Sequence, residues 1–157
     1  MRTLLLCLVV GIVFPYRVLA DASQNKNYSH AHGMLVVRTT GFKERKGTLA
    51  LALCRSSEEW NGKKDCFKTA RIGVTASTVE YVFNDLPEGE YAIKAFQDEN
   101  GNRTLDKDLM GVPVERYGFS NNARGLFDPP SYKKAAFIFT CPSMAVEIRM
   151  NNFYSDD

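Results

Sequence analysis

Between Gly47 and Cys54 the chain reads GTLALALC, and this alternation limits what can be built around it. Successive side chains of an extended strand point to opposite faces, so Leu49, Leu51 and Leu53 form one face and Ala50, Ala52 and Cys54 the other. The same period of two recurs along the chain. MLVVRTT (34–40) is rich in β-branched residues, and TVEYVF (78–83) sets Val79, Tyr81 and Phe83 against Thr78, Glu80 and Val82. YAIKAFQ (91–97) and AAFIFT (135–140) read as further strands, and MAVEIRM (144–150) alternates Met144, Val146, Ile148 and Met150 with Ala145, Glu147 and Arg149. GFKERKG supplies the polar, Gly-bounded turn of a hairpin between the first two strands, and NDLPEGE (84–90) is a turn punctuated by Pro87 and Gly89. No segment sustains a helical period; SSEEWNGKK holds one turn of helix at most. The pattern predicts an all-β fold. It is read as a single antiparallel β-sandwich of about seven strands, immunoglobulin-like or transthyretin-like (prealbumin-like), over 34–152.

The ends of the chain read differently. Met1-Arg2 precedes an apolar run from Leu4 to Phe14, and Val18-Leu19-Ala20 places small or aliphatic residues where a signal peptidase cuts. Residues 1–20 are therefore expected to be a signal peptide cleaved after Ala20, too short in its apolar part to span a bilayer of ~30 Å. The protein is expected to be exported, to periplasm or medium, without a transmembrane segment. Residues 21–33 are polar and aperiodic and are expected to form a flexible leader, with 153–157 as a short tail. The formal charge of +2 includes Arg2 and Arg17. Without them the charge is zero, which gives no electrostatic reason to expect nucleic acid or an anionic membrane as partner.

Cysteine and histidine usage narrows the chemistry. Cys54, Cys66 and Cys141 remain after processing, and an oxidising compartment favours a disulfide. A Cys54–Cys66 bridge would close the polar excursion RSSEEWNGKKD; Cys141, before Pro142, is an alternative partner for either. His30 and His32, the two histidines, lie in the expected leader, where two ligands on a tail make a weak metal site. Placing them there removes Ser-His-Asp and Cys-His arrangements from the folded part, and no Gly-rich phosphate loop is present. The reading is of a non-enzymatic chain.

From Val82 to Phe137 the chain carries DLPEGEY (85–91), DENGNRTLD (98–106), GVPVERYGFSNNA (111–123), and Pro129-Pro130 before an aromatic–apolar strand. In these motifs it resembles the bacterial family known as domain of unknown function 2141. The resemblance implies an exported protein and a β-sandwich similar to prealbumin-like or carboxypeptidase-regulatory modules, and implies no reaction. Arg103 stands where the family usually has a second glycine.

DENGNRTLD opens the stretch with most potential chemistry. Calcium takes six to eight oxygen ligands. With Asp98 as position one, Asp98, Asn100, Asn102, Asp106 and Asp108 supply side-chain oxygens, and a backbone carbonyl near Thr104 adds another. The opening matches an EF-hand loop, but position six is Arg103 rather than Gly, position twelve is Leu109 rather than Glu, and strands flank it. The expectation is a structural calcium held by Asp98, Asn100, Asn102, Thr104, Asp106 and Asp108. The plainer reading is a polar loop whose Asn, Asp and Gly residues tolerate left-handed backbone and cap their own amides. Asn102-Arg103-Thr104 is also a glycosylation sequon, and a sugar there would conflict with ligation. A second candidate surface gathers Tyr117, Phe119, Asn121, Asn122 and Arg124, with Phe127 and Tyr132, in a long loop suited to a carbohydrate or protein partner; alternatively Phe119 and Phe127 plug the end of the fold and the asparagines cap turns. Trp60 is either a surface anchor or a core lid. The resulting expectation is a monomeric exported module that binds structural calcium and presents loops to a protein or glycan. Its alternatives are an ion-free envelope domain and a carboxylate-based hydrolase.

Overall fold

The computed structural model describes residues 31–125 and 128–152, so the expected signal peptide, most of the leader, the tail and Phe127 lie outside the described residues. The described chain is mainly β. Its elements are β1 (His32–Thr40), β2 (Thr48–Cys54), α1 (Ser57–Trp60), β3 (Lys68–Gly73), β4 (Thr78–Pro87), β5 (Gly89–Asp98), β6 (Tyr117–Phe119), a 3₁₀ turn (Ser120–Asn122), α2 (Tyr132–Ala135), β7 (Phe137–Phe139) and β8 (Ser143–Arg149). β4, β1 and β8 form one sheet in that order. β3, β2, β5 and β6 form the other, with β7 on the first residues of β5.

A common apolar core lies between the two sheets. Leu35 and Val37 of β1, Val79 and Phe83 of β4, and Val146 and Ile148 of β8 meet Leu49, Leu51 and Leu53 of β2, Tyr91 and Ile93 of β5, and Phe139 of β7. The leucine face of GTLALALC thus points inward as its alternation requires, each such side chain contributing about 1.5–3 kcal/mol on burial. The small face points the other way. Cys54 and Ala92 lie under Trp60, Phe119 and Ala135 in a second apolar cluster. The central pair β2–β5 is consequently covered on both sides.

Several expectations are corrected by the pairing. β1 begins at His32, so His32 and Gly33 belong to the fold rather than to a leader, and the His32 ring pairs with Asp85 (2.6 Å). GFKERKG is not a hairpin turn: β1 and β2 belong to different sheets, and the segment crosses between them. Its seven residues are long enough for either path, and turn composition does not encode the choice. Buried Gln97 fixes the crossing by donating to the carbonyls of Glu44 (2.9 Å) and Lys46 (3.0 Å) and accepting from the Lys43 amide (3.2 Å). Gly47 (φ 72°) ends it, where a Cβ would lie 2.2 Å from the Asp98 carbonyl oxygen. The fold is not wholly antiparallel, because β1 and β8 run parallel from Met34/Ser143 to Thr40/Arg149. β4 continues to Pro87, leaving Glu88 alone before β5, so most of the expected 84–90 turn is strand. The expected strand at 135–140 shrinks to Phe137–Phe139 behind α2.

Two strands have no counterpart in the sequence reading. β3 (KTARIG) is an edge strand with only half-buried Lys68, Ala70 and Ile72 on one face, a weak apolar signal. β6 has three residues and exists by contact: Tyr117 and Asn151 exchange backbone hydrogen bonds (2.9 and 2.8 Å), stitching it to the end of β8. Gly118 permits that approach, since a Cβ there would lie 2.7 Å from Ile148 Cγ2.

Cys54 and Cys66 are bonded across a Cα separation of 4.5 Å, closing the segment that carries α1; Cys141 is free. Trp60 is a lid rather than a surface anchor: it is 5 % exposed and donates from Nε1 to the Pro130 carbonyl (2.8 Å). A loop of this size constrains the unfolded chain by roughly 3 kcal/mol. The pair Cys54→Ala/Cys66→Ala is expected to lose about that much stability in urea unfolding. A loss below ~1 kcal/mol would show that the loop is closed as firmly by Trp60 as by sulfur.

Candidate functional site

The acidic loop leaves β5 at its last residue. Asp98 is 1 % exposed, and its carboxylate is enclosed by donors. Oδ1 accepts from the Gly101 amide (2.7 Å), and Oδ2 accepts from the Arg103 amide (3.0 Å) and Arg71 Nη1 (2.9 Å). Arg71 Nη2 donates to the Arg103 carbonyl (3.2 Å), so one guanidinium ties the start of the loop to its middle. Arg103 has φ 67°, the left-handed geometry for which calcium loops use Gly at position six. Its side chain is exposed.

Asn100, Asn102 and Asp106 come together. Asp106 accepts from Asn100 Nδ2 at 2.6 Å and from Asn102 Nδ2 at 2.8 Å, one amide on each carboxylate oxygen. Asn100 Oδ1 accepts from the Asn102 amide (2.9 Å), and Asn102 Oδ1 accepts from the amide (2.8 Å) and hydroxyl (2.9 Å) of Thr104. Asp108 serves the next turn, its Oδ1 accepting from the amides of Met110 (2.8 Å) and Val112 (2.9 Å). Among the described residues no three His, Cys, Asp or Glu side chains gather as a metal centre, so an ion here would need the asparagine and backbone oxygens.

The residues that anchor the loop were not singled out from the sequence. Glu115, 4 % exposed, lies beneath it, accepting from the Glu99 amide on Oε1 (2.8 Å) and from the Asp106 amide on Oε2 (3.0 Å). Arg71 comes from β3, the strand with little apolar signal. Register brings it near, since Ala50 pairs with Arg71 on one side and Phe96 on the other. Glu115 could have been suspected from its place between two apolar stretches in GVPVERYGF. Arg71 carried no local signal.

The second predicted surface divides. Asn121 (φ 58°) donates to the Ala136 carbonyl (2.8 Å), and Asn122 accepts from the Arg149 amide (2.9 Å), so both fasten backbone. Buried Ser120 donates to the Ala135 carbonyl (2.6 Å) and accepts from the Ile93 amide (2.9 Å). Phe119 packs against Trp60 with ring centroids 5.7 Å apart. Tyr117, Phe119, Asn122 and Arg124 border a cleft of about 390 Å³ that Arg149 also lines; Asn121 does not. An adjoining cleft of about 580 Å³ shares Tyr117 and Phe119 and reaches Trp60 and Lys94. Lys94 Nζ donates to the Trp60 carbonyl (2.8 Å) and stands 5.3 Å from the indole centroid, and burial holds its pKa below the usual lysine value. Burial likewise raises the Tyr117 hydroxyl, which the charge of Arg124 partly offsets. The clefts therefore combine aromatic walls with Lys94, Arg124 and Arg149 and with the carboxylate of Asp128, a surface for polar ligands.

Burial of Asp98 opposes its ionisation, but the Arg71 hydrogen bond, the Gly101 and Arg103 amides and the Arg71 charge outweigh it and hold the carboxyl below its ordinary value. A folded pKa below the unfolded one stabilises the fold above the unfolded value of ~3.9 and loses that contribution as pH falls through the folded value. Asp98→Asn is expected to lower Tm at neutral pH and to flatten the decline below about pH 4. Parallel melting curves for variant and wild type across that range would assign the acid sensitivity elsewhere.

No curated protein and no solved structure matches the chain significantly. The bacterial family domain of unknown function 2141, described as an uncharacterized protein conserved in bacteria, matches residues 37–147, which include most of both sheets, the acidic loop and most of the cleft lining. By that match the chain belongs to the domain of unknown function 2141 family.

Proposed function

We propose that the protein is an exported β-sandwich module of transthyretin-like or immunoglobulin-like type whose Asp98–Asp108 loop takes up a structural calcium ion and whose neighbouring cleft meets a glycan or protein partner. The observation that carries the ion reading is the convergence of the Asn100 and Asn102 side-chain amides on the Asp106 carboxylate, at 2.6 and 2.8 Å. Rotating the two amides, at the loss of the hydrogen bonds their oxygens accept from Asn102 and Thr104, turns those oxygens toward the same point as the Asp106 carboxylate, an oxygen set suited to a hard cation. The left-handed backbone at Arg103 supports the reading, because it gives the loop the sharp bend calcium loops require. Export is supported by the layout of residues 1–20 and by the Cys54–Cys66 bond, since disulfides persist in oxidising compartments. The sandwich reading rests on two sheets sharing one core.

A second reading, the ion-free structural domain, has its own observation. Arg71 already places a cation on Asp98, and Glu115 binds the loop's amides from below. At the affinity of extracellular modules, ~10⁻⁴ M, about 10 mM calcium would stabilise the fold by ~2.7 kcal/mol. Thermal melting is expected to shift upward by several degrees in calcium, not in magnesium, and Asp106→Ala is expected to abolish the shift. Absence of a calcium shift in the wild type would leave the ion-free reading in place.

A further inference from the structure

The end of β8 delivers the chain to the cleft beside Tyr117. Tyr117 and Asn151 hold each other by two backbone hydrogen bonds (2.9 and 2.8 Å), and Asn151 and Asn152 both line the cleft. The residues that follow, 153–157, lie outside the described residues and read FYSDD. They start at the cleft wall, and five residues reach at most about 17 Å from it. Asn152 adds an independent observation: its Oδ1 is buried and accepts no hydrogen bond among the described residues. An asparagine oxygen commonly accepts from the backbone amide two residues on, which bends the chain. Here that amide belongs to Tyr154.

The cleft matches this segment in chemistry. Tyr117, Pro113, Pro129 and Pro130 give it apolar walls. Arg124 and Arg149 stand exposed in its lining and form no ion pair among the described residues. The carboxylate in the two linings is Asp128, against which Arg124, Arg149 and the Lys94 of the adjoining cleft leave an excess of positive charge. Lys107, also in the lining, is offset by Asp106 and Asp108 on either side of it in sequence and does not count toward that excess. FYSDD brings two rings for the walls and two carboxylates for the cations. We propose that residues 153–157 fold back into this cleft as an occupant built into the chain. Phe153 and Tyr154 lie against its apolar wall, Asp156 and Asp157 face Arg124 and Arg149, and an outside ligand must displace them. A short tether holds its segment at an effective concentration on the order of mM, so a weak contact suffices to close the cleft. The contact is made within one chain and depends neither on the glycan or protein partner nor on the calcium of the preceding proposal.

The test compares amide NMR spectra of the full chain, recovered from an exporting host with its N-terminus verified, and of the same chain ended at Asn152. Removing residues 153–157 is expected to move the amides of Gly118, Ala123, Arg124 and Arg149 as well as those of Asn151 and Asn152. Acetyl-FYSDD peptide titrated into the shortened chain is expected to move the same amides back, with half-saturation on the order of mM or below, and to leave the full chain unmoved. Arg124→Gln/Arg149→Gln in the shortened chain should weaken the peptide several-fold and remove its salt dependence. Where the shortened chain has a lowered Tm, the full chain with Phe153→Ser/Tyr154→Ser takes its place, and it is expected to show the same displaced amides and to admit the peptide. The proposal is overturned by shifts confined to residues 150–152, by a peptide that moves both chains alike or neither, or by peptide binding that the arginine pair leaves intact. It is also overturned by shifts that grow with protein concentration, which would assign the segment to the cleft of a second copy of the chain.

Discussion

The central pair β2–β5 is buried on both faces, and the rest of the molecule is arranged around that condition. Its inner face meets the β4-β1-β8 sheet through Leu49, Leu51, Leu53, Tyr91 and Ile93. Its outer face is shallow where Ala50, Ala52 and Cys54 lie, and that shallowness lets Trp60 settle over the sheet and Lys94 run beneath it. Replacing an outer alanine with a bulky side chain would force the lid upward at a cost of ~1–3 kcal/mol. A strand with bulky residues on both sides would leave no room for the lid or the cleft beside it.

The outer face also connects the acidic loop to the cleft. One cross-strand row runs Arg71, Ala50, Phe96, Tyr117, and the next runs Thr69, Ala52, Lys94, Phe119. Arg71 reaches from the first row to Asp98, and its guanidinium stands 5.9 Å from the Phe96 ring. Tyr117 ends the same row at the cleft wall. Arg71 and Tyr117 thus stand at opposite ends of one cross-strand row, the first at the loop and the second at the cleft.

Strong local periodicity made much of the fold legible. Where large apolar residues alternate with small or polar ones, as in β1, β2, β4, β5 and β8, burial on one face leaves only one strand register acceptable. β3 and β6 were not legible for the opposite reason. At an edge, or over three residues, pairing is set by a neighbour and the side chains carry little pattern. The acidic loop was legible as a collection of oxygens but not as a geometry. Asp98, Asn100, Asn102 and Asp106 stand within nine residues, whereas Arg71 and Glu115, which hold them, are distant in sequence. The asparagines of YGFSNNA were readable as cappers or as ligands from composition alone, and the positions of the Ala136 carbonyl and the Arg149 amide decide for capping.

By itself the sequence determined the β class, the inward faces of the long strands and the family, because each of these follows from local period or from a contiguous motif. Only the tertiary structure decided that the first turn crosses between sheets, that β8 runs parallel to β1, and that Trp60 is a lid. It alone brought a guanidinium from β3 onto Asp98. Those outcomes depend on which strand becomes whose neighbour. That choice is made by how two apolar faces close over one core, and no stretch of the chain encodes it locally.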